Sequence, residues 1–313
     1  METTTDAKLP ETARLKELLD LIDGAYAPNT LRAYRADMLE FIGYCQQLGA
    51  SALPALPGHT AQFLLSASQT GIRSATVRRK AASISAIHRL SNHADPTKSM
   101  EVKLALRKIY RQLGSRYDQA YPITRPLLDQ LLSVCGSDLR GKRNRALLLL
   151  AYDSMRRRSE LVSLRVEDME WLSEHGASIL LRKSKTDQTG TGHWIHLSNE
   201  TTKAVEEWLN DANIKEGFVL RGINTRGYIT ESLCDSRVGR IYKRLAKLAR
   251  MDEQVVRQIS GHSMRVGGAQ DLLHHGASLP QIMVKGGWAK TDTVMRYVER
   301  VNRPASFSRA FTA

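Results

Sequence analysis

SGHSMRVGGAQDLLHHGASLPQIMVKGGWAKTDTVMRY, residues 260–297, is the stretch that the rest of the chain serves. His262 and Arg265 stand three apart at the head of a helical pattern, so both side chains leave one face. Gly276 fits the place just past that helix. Ser278 opens the next helix with Gln281 three residues on, the spacing of a capping box. That helix stops at Gly286-Gly287, and Trp288 follows. Tyr297 lies nine residues beyond Trp288 on a last short helical pattern. Singly, each has a plain reading. The His/Arg pair can be solvated or capping, Trp288 can be core, and Tyr297 shares a helical stripe with Val294, Val298 and Val301. Together they put an imidazole, a guanidinium, an indole N–H and a phenol in one compact unit.

The 313 residues suffice for two domains, and 42% hydrophobic residues can fill their cores. Lys and Arg number 46 against 32 Asp and Glu, a net +14. A chain this basic meets a polyanion, with nucleic acid the first candidate and a membrane surface the other. No segment approaches ~18 continuous apolar residues, and the first residues lack a signal-peptide core, so no membrane is expected. Cys45, Cys135 and Cys234 are odd in number and widely spaced. That pattern fits neither a disulfide framework nor a zinc site, and it suits a reducing compartment. Neither an acid/His cluster for a metal nor a Gly-rich phosphate loop is present, so no cofactor is expected.

Residues 1–114 read as a small helical domain. Helical stripes start at Glu11, at Asn29 as a cap, near His59, at Ser74 and at Ser99, with stops at Gly24, Gly49 and Gly114. Arg73, Arg78, Arg79 and Lys80 crowd the start of the fourth stripe. Lys103, Arg107 and Lys108 lie on the fifth. With few acids beside them in sequence, these groups form a candidate phosphate-contacting face. Residues 115–123 break the pattern and read as a linker.

Residues 124–313 read as a second domain with a C-terminal tail. Thr124 caps a helix, and a further helix over 142–152 carries the apolar run Ala146–Ala151. Arg156, Arg157 and Arg158 precede a helix that buries Leu161 and Leu164. Three adjacent side chains spread around a helix, so they cannot all face one phosphate. Strands are predicted over 178–181 and 193–197, with a polar loop between them. A helix over 235–250 keeps Val238, Ile241, Leu245 and Leu248 on one side. Arg237, Arg240, Lys243 and Arg244 cover the rest, as suits a major groove. Phe307 and Phe311 lie in the tail.

Taken in order, these motifs resemble the active-site block of the phage integrase family, the tyrosine recombinases. The resemblance covers about residues 12–300. It implies a fold that is mainly α with a small β-sheet: a helical core-binding domain followed by an α+β catalytic domain. The family pattern Arg-x-x-Glu-Leu selects Arg157 with Glu160, and leaves Arg156 and Arg158 to DNA-backbone contacts or solvent. Lys185 matches the family's hairpin lysine, His262 and Arg265 its HxxR pair, Trp288 its His/Trp position and Tyr297 its nucleophile. The implied reaction is site-specific cutting and rejoining of duplex DNA through a 3′-phosphotyrosine, for integration, excision or resolution. The implied partners are DNA with an inverted-repeat site and further copies of the chain. A free monomer would form a dimer on each site and a homotetramer in synapsis, in the cytoplasm on the nucleoid. The tail phenylalanines would dock on the next copy or pack in cis on their own domain. A type IB topoisomerase-like relaxing enzyme and a non-catalytic DNA-binding protein are the alternative readings.

Overall fold

Five helices come first: α1 (Glu11–Leu21), α2 (Pro28–Gln47), α3 (Pro57–Gln69), α4 (Ser74–Leu90) and α5 (Met100–Leu113). The computed structural model describes residues 10–114, 119–172, 176–184 and 190–298. The inward stripes of these helices form one core that includes Leu15, Met38, Phe41, Leu64, Ile84 and Ile109. Phe41 and Phe63 pack tilted at 5.0 Å between ring centres, a geometry that adds to simple area burial. Ser99 accepts from the Val102 N–H at 3.2 Å and starts α5. Asn29 does not cap α2. Pro28 takes the first helical position, where its missing N–H costs nothing, and Asn29 accepts from the Arg32 side chain instead.

His88 is a fully buried polar group in this core. Its Nε2 accepts from the Ala55 N–H at 3.0 Å, and its Nδ1 lies 2.8 Å from the Ile84 carbonyl. One nitrogen must accept and the other donate, which describes a neutral imidazole. Burial pushes its pKa below the ordinary histidine value, consistent with that form.

The chain forms two compact units, residues 1–118 and 119–313. The second opens with α6 (Arg125–Ser133), α7 (Leu139–Ser154) and α8 (Arg158–Leu161). Three antiparallel strands follow in the order β1 (Met169–Leu172), β2 (Gly176–Leu181) and β3 (His193–Leu197). Then come α9 (Asn199–Asp211), α10 (Asp235–Leu248), α11 (Glu253–Gln258), α12 (Ser263–His274), α13 (Leu279–Gly286) and α14 (Thr291–Val298). α7 is the hub: Ala146 through Ala151 are all buried, with α9 and α12 packed against it. An all-apolar run fits a helix covered on every side. Among the described residues, no helix is long and apolar enough to cross a membrane.

β1 is absent from the sequence expectation. It is a four-residue edge strand, Met-Glu-Trp-Leu, with three of its residues exposed, so it shows no alternation. Within the expected linker over 115–123, the described residues 119–123 are tied to the second domain. Tyr121 and Ile123 donate their N–H groups to the carbonyls of Gln258 and Ser263 at 3.2 and 3.0 Å, and Ile123 is fully buried. Residues 119–123 are therefore part of the second unit. Thr124 supplies no side-chain cap to α6. Asp271 of α12 does that work from afar: it accepts the Arg125 N–H at 2.6 Å and also the Tyr152 hydroxyl.

Candidate active site

Helix ends build this site. α7 ends at Met155, which sits in the left-handed region at φ 49°. α13 ends at Gly286, with Gly287 left-handed at φ 63°. Both ends leave carbonyls without helical partners. Arg265, in the first turn of α12 and only 2% exposed, donates Nη1 to the Met155 carbonyl and, at 2.8 Å, to the Gly286 carbonyl. A cation is favoured at a helix C-terminus, and here one guanidinium joins two. Its Cζ stacks 4.0 Å from the centre of the Trp288 ring, a cation–π contact. The Trp288 ring in turn lies 5.8 Å from that of Tyr297 on α14. Gln270 of α12 holds the Tyr297 carbonyl at 2.9 Å.

Arg157 and Glu160 approach through α8. Glu160 accepts the Arg157 Nη1 at 2.7 Å and the Arg157 backbone N–H at 3.1 Å. Burial of this carboxylate would raise its pKa. The ion pair with Arg157 and that backbone bond outweigh burial and hold it below the usual carboxylate range. Arg265 carries the opposite shift. Burial first, then repulsion from Arg157, push its pKa down to about 10, which leaves it charged at neutral pH. His262 forms the N-terminal boundary of α12. Its pKa is also lowered, by burial first and then by Arg265, Arg158 and Arg157. The imidazole is therefore neutral at neutral pH and able to accept a proton.

The structure thus brings Arg157, Glu160, His262, Arg265, Trp288 and Tyr297 into one neighbourhood of the second unit. Two of their buried donors, Arg265 Nη2 and Trp288 Nε1, have no hydrogen-bond partner among the described residues. Buried donors are nearly always satisfied, so an orphaned pair asks for an explanation. A cavity of about 770 Å³ opens beside them, lined by Arg157, His193 and Trp288, with Ser184 and Thr191 from the sheet side. Lys185 lies outside the described residues, as do Phe307 and Phe311.

Two residues at this cavity go unremarked or misread in sequence. His193 at the start of β3 lines it. Arg156 is not solvated: it is 5% exposed, lines the cavity and donates Nη2 to the Lys285 carbonyl at 3.1 Å. Arg158 pairs with Asp235 at 3.2 Å. Lys80 is a further correction. It is 5% exposed and ion-paired with Glu40, with Asp37 at 3.9 Å, so it lies beneath the basic face of the first unit. Arg79 also pairs with Asp37, at 3.1 Å, but stays exposed. Arg73 and Arg78 are exposed, Arg78 over the Tyr110 ring at 5.0 Å, and so are Lys103, Arg107 and Lys108 on α5. Arg237, Arg240 and Arg244 are exposed on α10, while Lys243 is half-buried and bonded to the Arg257 carbonyl at 2.9 Å.

Residues 123–303 match the phage integrase family, and residues 18–94 match the phage integrase N-terminal SAM-like domain. The chain belongs to the phage integrase family of tyrosine recombinases. It is 30% identical over 292 residues to an integrase/recombinase xerD homolog of Selenomonas ruminantium, covering 90% of this chain and 84% of that one. It is 26% identical over 305 residues to recombinase cre of Escherichia phage P1, covering 92% and 89%. The crystal structure of the XerH site-specific recombinase bound to a palindromic difH substrate shares the phage integrase fold. Its TM-score is 0.69 at 17% identity, over 96% of this chain and 84% of that one.

Tight packing around the tryptophan gives a test within this family fold. A Cβ at Gly286 would fall 1.9 Å from the Trp288 ring. Gly286→Ala is expected to cost about 1–3 kcal/mol, as overpacking does. The unfolding temperature should drop by roughly 2–4 °C per kcal/mol. Because Trp288 must move, the variant should also lose most of its covalent adduct with DNA. Calorimetry and a gel assay of the adduct check the two halves.

Proposed function

We propose that the chain is a site-specific recombinase that cuts and rejoins duplex DNA through a 3′-phosphotyrosine. The observation that carries this is the contact of Arg265 with the Trp288 ring and of that ring with Tyr297, with two buried donors that have no partner among the described residues. In this reading Arg265 Nη2 and Trp288 Nε1 take non-bridging oxygens of the scissile phosphate. Arg157, oriented by Glu160, takes the other side, since planar guanidinium forks suit phosphate better than ammonium does. The Tyr297 oxygen attacks phosphorus, and the bond from phosphorus to the 5′ oxygen breaks. A free phenol ionises near pH ~10, so only about one in a thousand is ionised at neutral pH. His262, neutral for the reasons above, accepts the phenolic proton. Lys185 gives a proton to the departing 5′ oxygen. The phosphotyrosine keeps the energy of the broken bond, so the step needs neither ATP nor water. Each placed donor supplies roughly 3–4 kcal/mol of barrier lowering, by analogy with oxyanion holes.

The partner in this proposal is double-stranded DNA with inverted repeats, bound by a dimer on each site and by a tetramer when two sites meet. The exposed arginines and lysines of α4, α5 and α10 supply phosphate and base contacts. Lysine 80, buried under its face, is omitted. The relatedness to recombinases over most of the chain supports this assignment. The deciding experiment incubates the protein with plasmids carrying candidate inverted repeats. Covalent adduct together with site-dependent exchange is the expected result. Adduct with supercoil relaxation but without exchange would favour a topoisomerase, and binding without adduct a non-catalytic protein.

Lys185 yields a separate expectation. Lys185→Ala should cut ordinary DNA slowly and recover when the scissile bridging oxygen is sulfur, because a thiolate leaves without a proton. Lys183→Ala should be nearly normal on both. The reverse pattern would move the acid to Lys183.

A further inference from the structure

α7 and the basic side of α10 meet at a second cavity, of about 260 Å³, which the reaction does not use. That is about nine water volumes of ~30 Å³ each. Arg140 and Arg143 of α7 line it together with Arg237, Arg240 and Arg244 of α10, and among the described residues no carboxylate lines it. Asp235, the acid at the start of α10, is taken by Arg158. Among the described residues none of the five arginines has an acidic partner within salt-bridge reach.

What holds two of them is neutral. Arg140 donates to the carbonyls of Ile223 and Asn224 at 3.3 and 2.9 Å. Arg143 donates to Asn144 Oδ1 at 3.0 Å and to the Arg221 carbonyl at 3.2 Å. These bonds aim the guanidiniums without neutralising them. Arg143 is only 4% exposed. Burial, then repulsion from Arg140, Arg237 and Arg244, pushes its pKa down to about 10, so it stays charged. Buried like charges are costly unless an anion joins them. Guanidinium forks match the oxygens of a phosphate in pairs.

We propose that this five-arginine cavity is a socket for one backbone phosphate of the bound DNA, a contact away from the reacting bond that seats α10 on the duplex. It rests on the recombinase reading for its partner. The remaining walls are Gly222, Ile223, Leu233 and Ile241, with no aromatic ring on which a nucleobase could stack. That favours a strand's phosphate over a free nucleotide. The outward arginines of α10 also continue the basic face from the socket rim.

The test measures affinity of the full chain for an inverted-repeat duplex and for a scrambled one between about 50 and 300 mM salt. Each phosphate contact contributes about 0.9 to the slope of log affinity against log salt. Arg140→Gln, a half-buried position whose replacement can still donate to a carbonyl, should flatten the slope by about 0.9. Affinity should fall equally on both duplexes, because a phosphate contact carries no base information. Arg143→Gln should do the same. The double variant should lose about 0.9 in total, not twice that, because one phosphate is shared. Unfolding curves of each variant separate lost contact from lost fold. Unchanged slopes in folded variants would overturn the socket. Inorganic phosphate is the other source of this chemistry. If it raises the unfolding temperature of the unaltered chain while the variants keep the full slope, the site holds a free ion and the DNA socket is wrong. Adduct formation is read in the same preparations. Adduct with unchanged slopes sinks the socket alone, whereas flattened slopes without adduct in the unaltered chain sink the recombinase reading and keep the socket.

Discussion

Tyr297→Phe will bind duplex DNA as tightly as the unaltered chain and will form no covalent adduct. The substitution removes one oxygen and leaves the ring that packs 5.8 Å from Trp288, so the helix end keeps its place. DNA affinity comes mainly from phosphate contacts, which the phenol does not supply. The chemical loss is of a different order, because losing the nucleophile of a serine protease costs about 10⁶-fold. The assay is a half-site substrate whose cleaved end diffuses away, trapping any phosphotyrosine on the protein. Adduct persisting in this variant would give the role to another tyrosine. Tyr242 could not take it, because it is fully buried in the core of the second unit. Tyr228, 68% exposed, would be the residue to test next.

Lysine in place of Arg265 or of Arg157 should cost the reaction at least about 10²–10³-fold each, the usual effect of removing one placed donor. For Arg265 the loss has a visible cause. One guanidinium holds the carbonyls of Met155 and Gly286, covers the Trp288 ring at 4.0 Å, and keeps Nη2 free. An ammonium keeps the charge but cannot span those roles. Arg157→Lys loses the 2.7 Å bond from Nη1 to Glu160 and with it the orientation of the fork. Single-turnover cleavage at saturating DNA reads the chemical step, and gel shifts should move only a few-fold. Since Arg265 is buried, its variant needs an unfolding curve beside it: a left-over unpaired group there costs about 1–3 kcal/mol. A folded lysine variant that cleaves at a near-normal rate would remove that arginine from the phosphate clamp.

Much of this site is legible in sequence because local signals set it. The capping box at Ser278 and Gln281, and the glycines at 276 and 287, mark where the helices around His262, Trp288 and Tyr297 begin and end. What is not legible depends on contacts far along the chain. Lys80 looks like part of a cationic run with few acids beside it, yet its acids come from α2, forty residues earlier. In the 156–158 run, the left-handed turn at Met155 sends Arg156 to the end of α13 and into the interior. β1 stays hidden because an edge strand with three exposed residues has no inner face to write an alternation. Arg140 and Arg143 sit beside a hub helix whose apolar run draws the attention, and only the fold sets them opposite α10.

Trp288 also gives the protein an optical signal of its own chemistry. Trp171 and Trp194 are solvent-exposed on the sheet, and Trp208 is sealed in the core with its N–H bonded to the Val219 carbonyl. Of the four tryptophans, Trp288 is the one set between a guanidinium over its ring and the tilted ring of Tyr297, the proposed nucleophile. With Trp171 and Trp194 changed to phenylalanine, emission would come from one constant indole and one that senses the scissile phosphate. Occupancy of the site and the attack of Tyr297 could then be followed by fluorescence in a stopped-flow mixer, within a single turnover and without a gel.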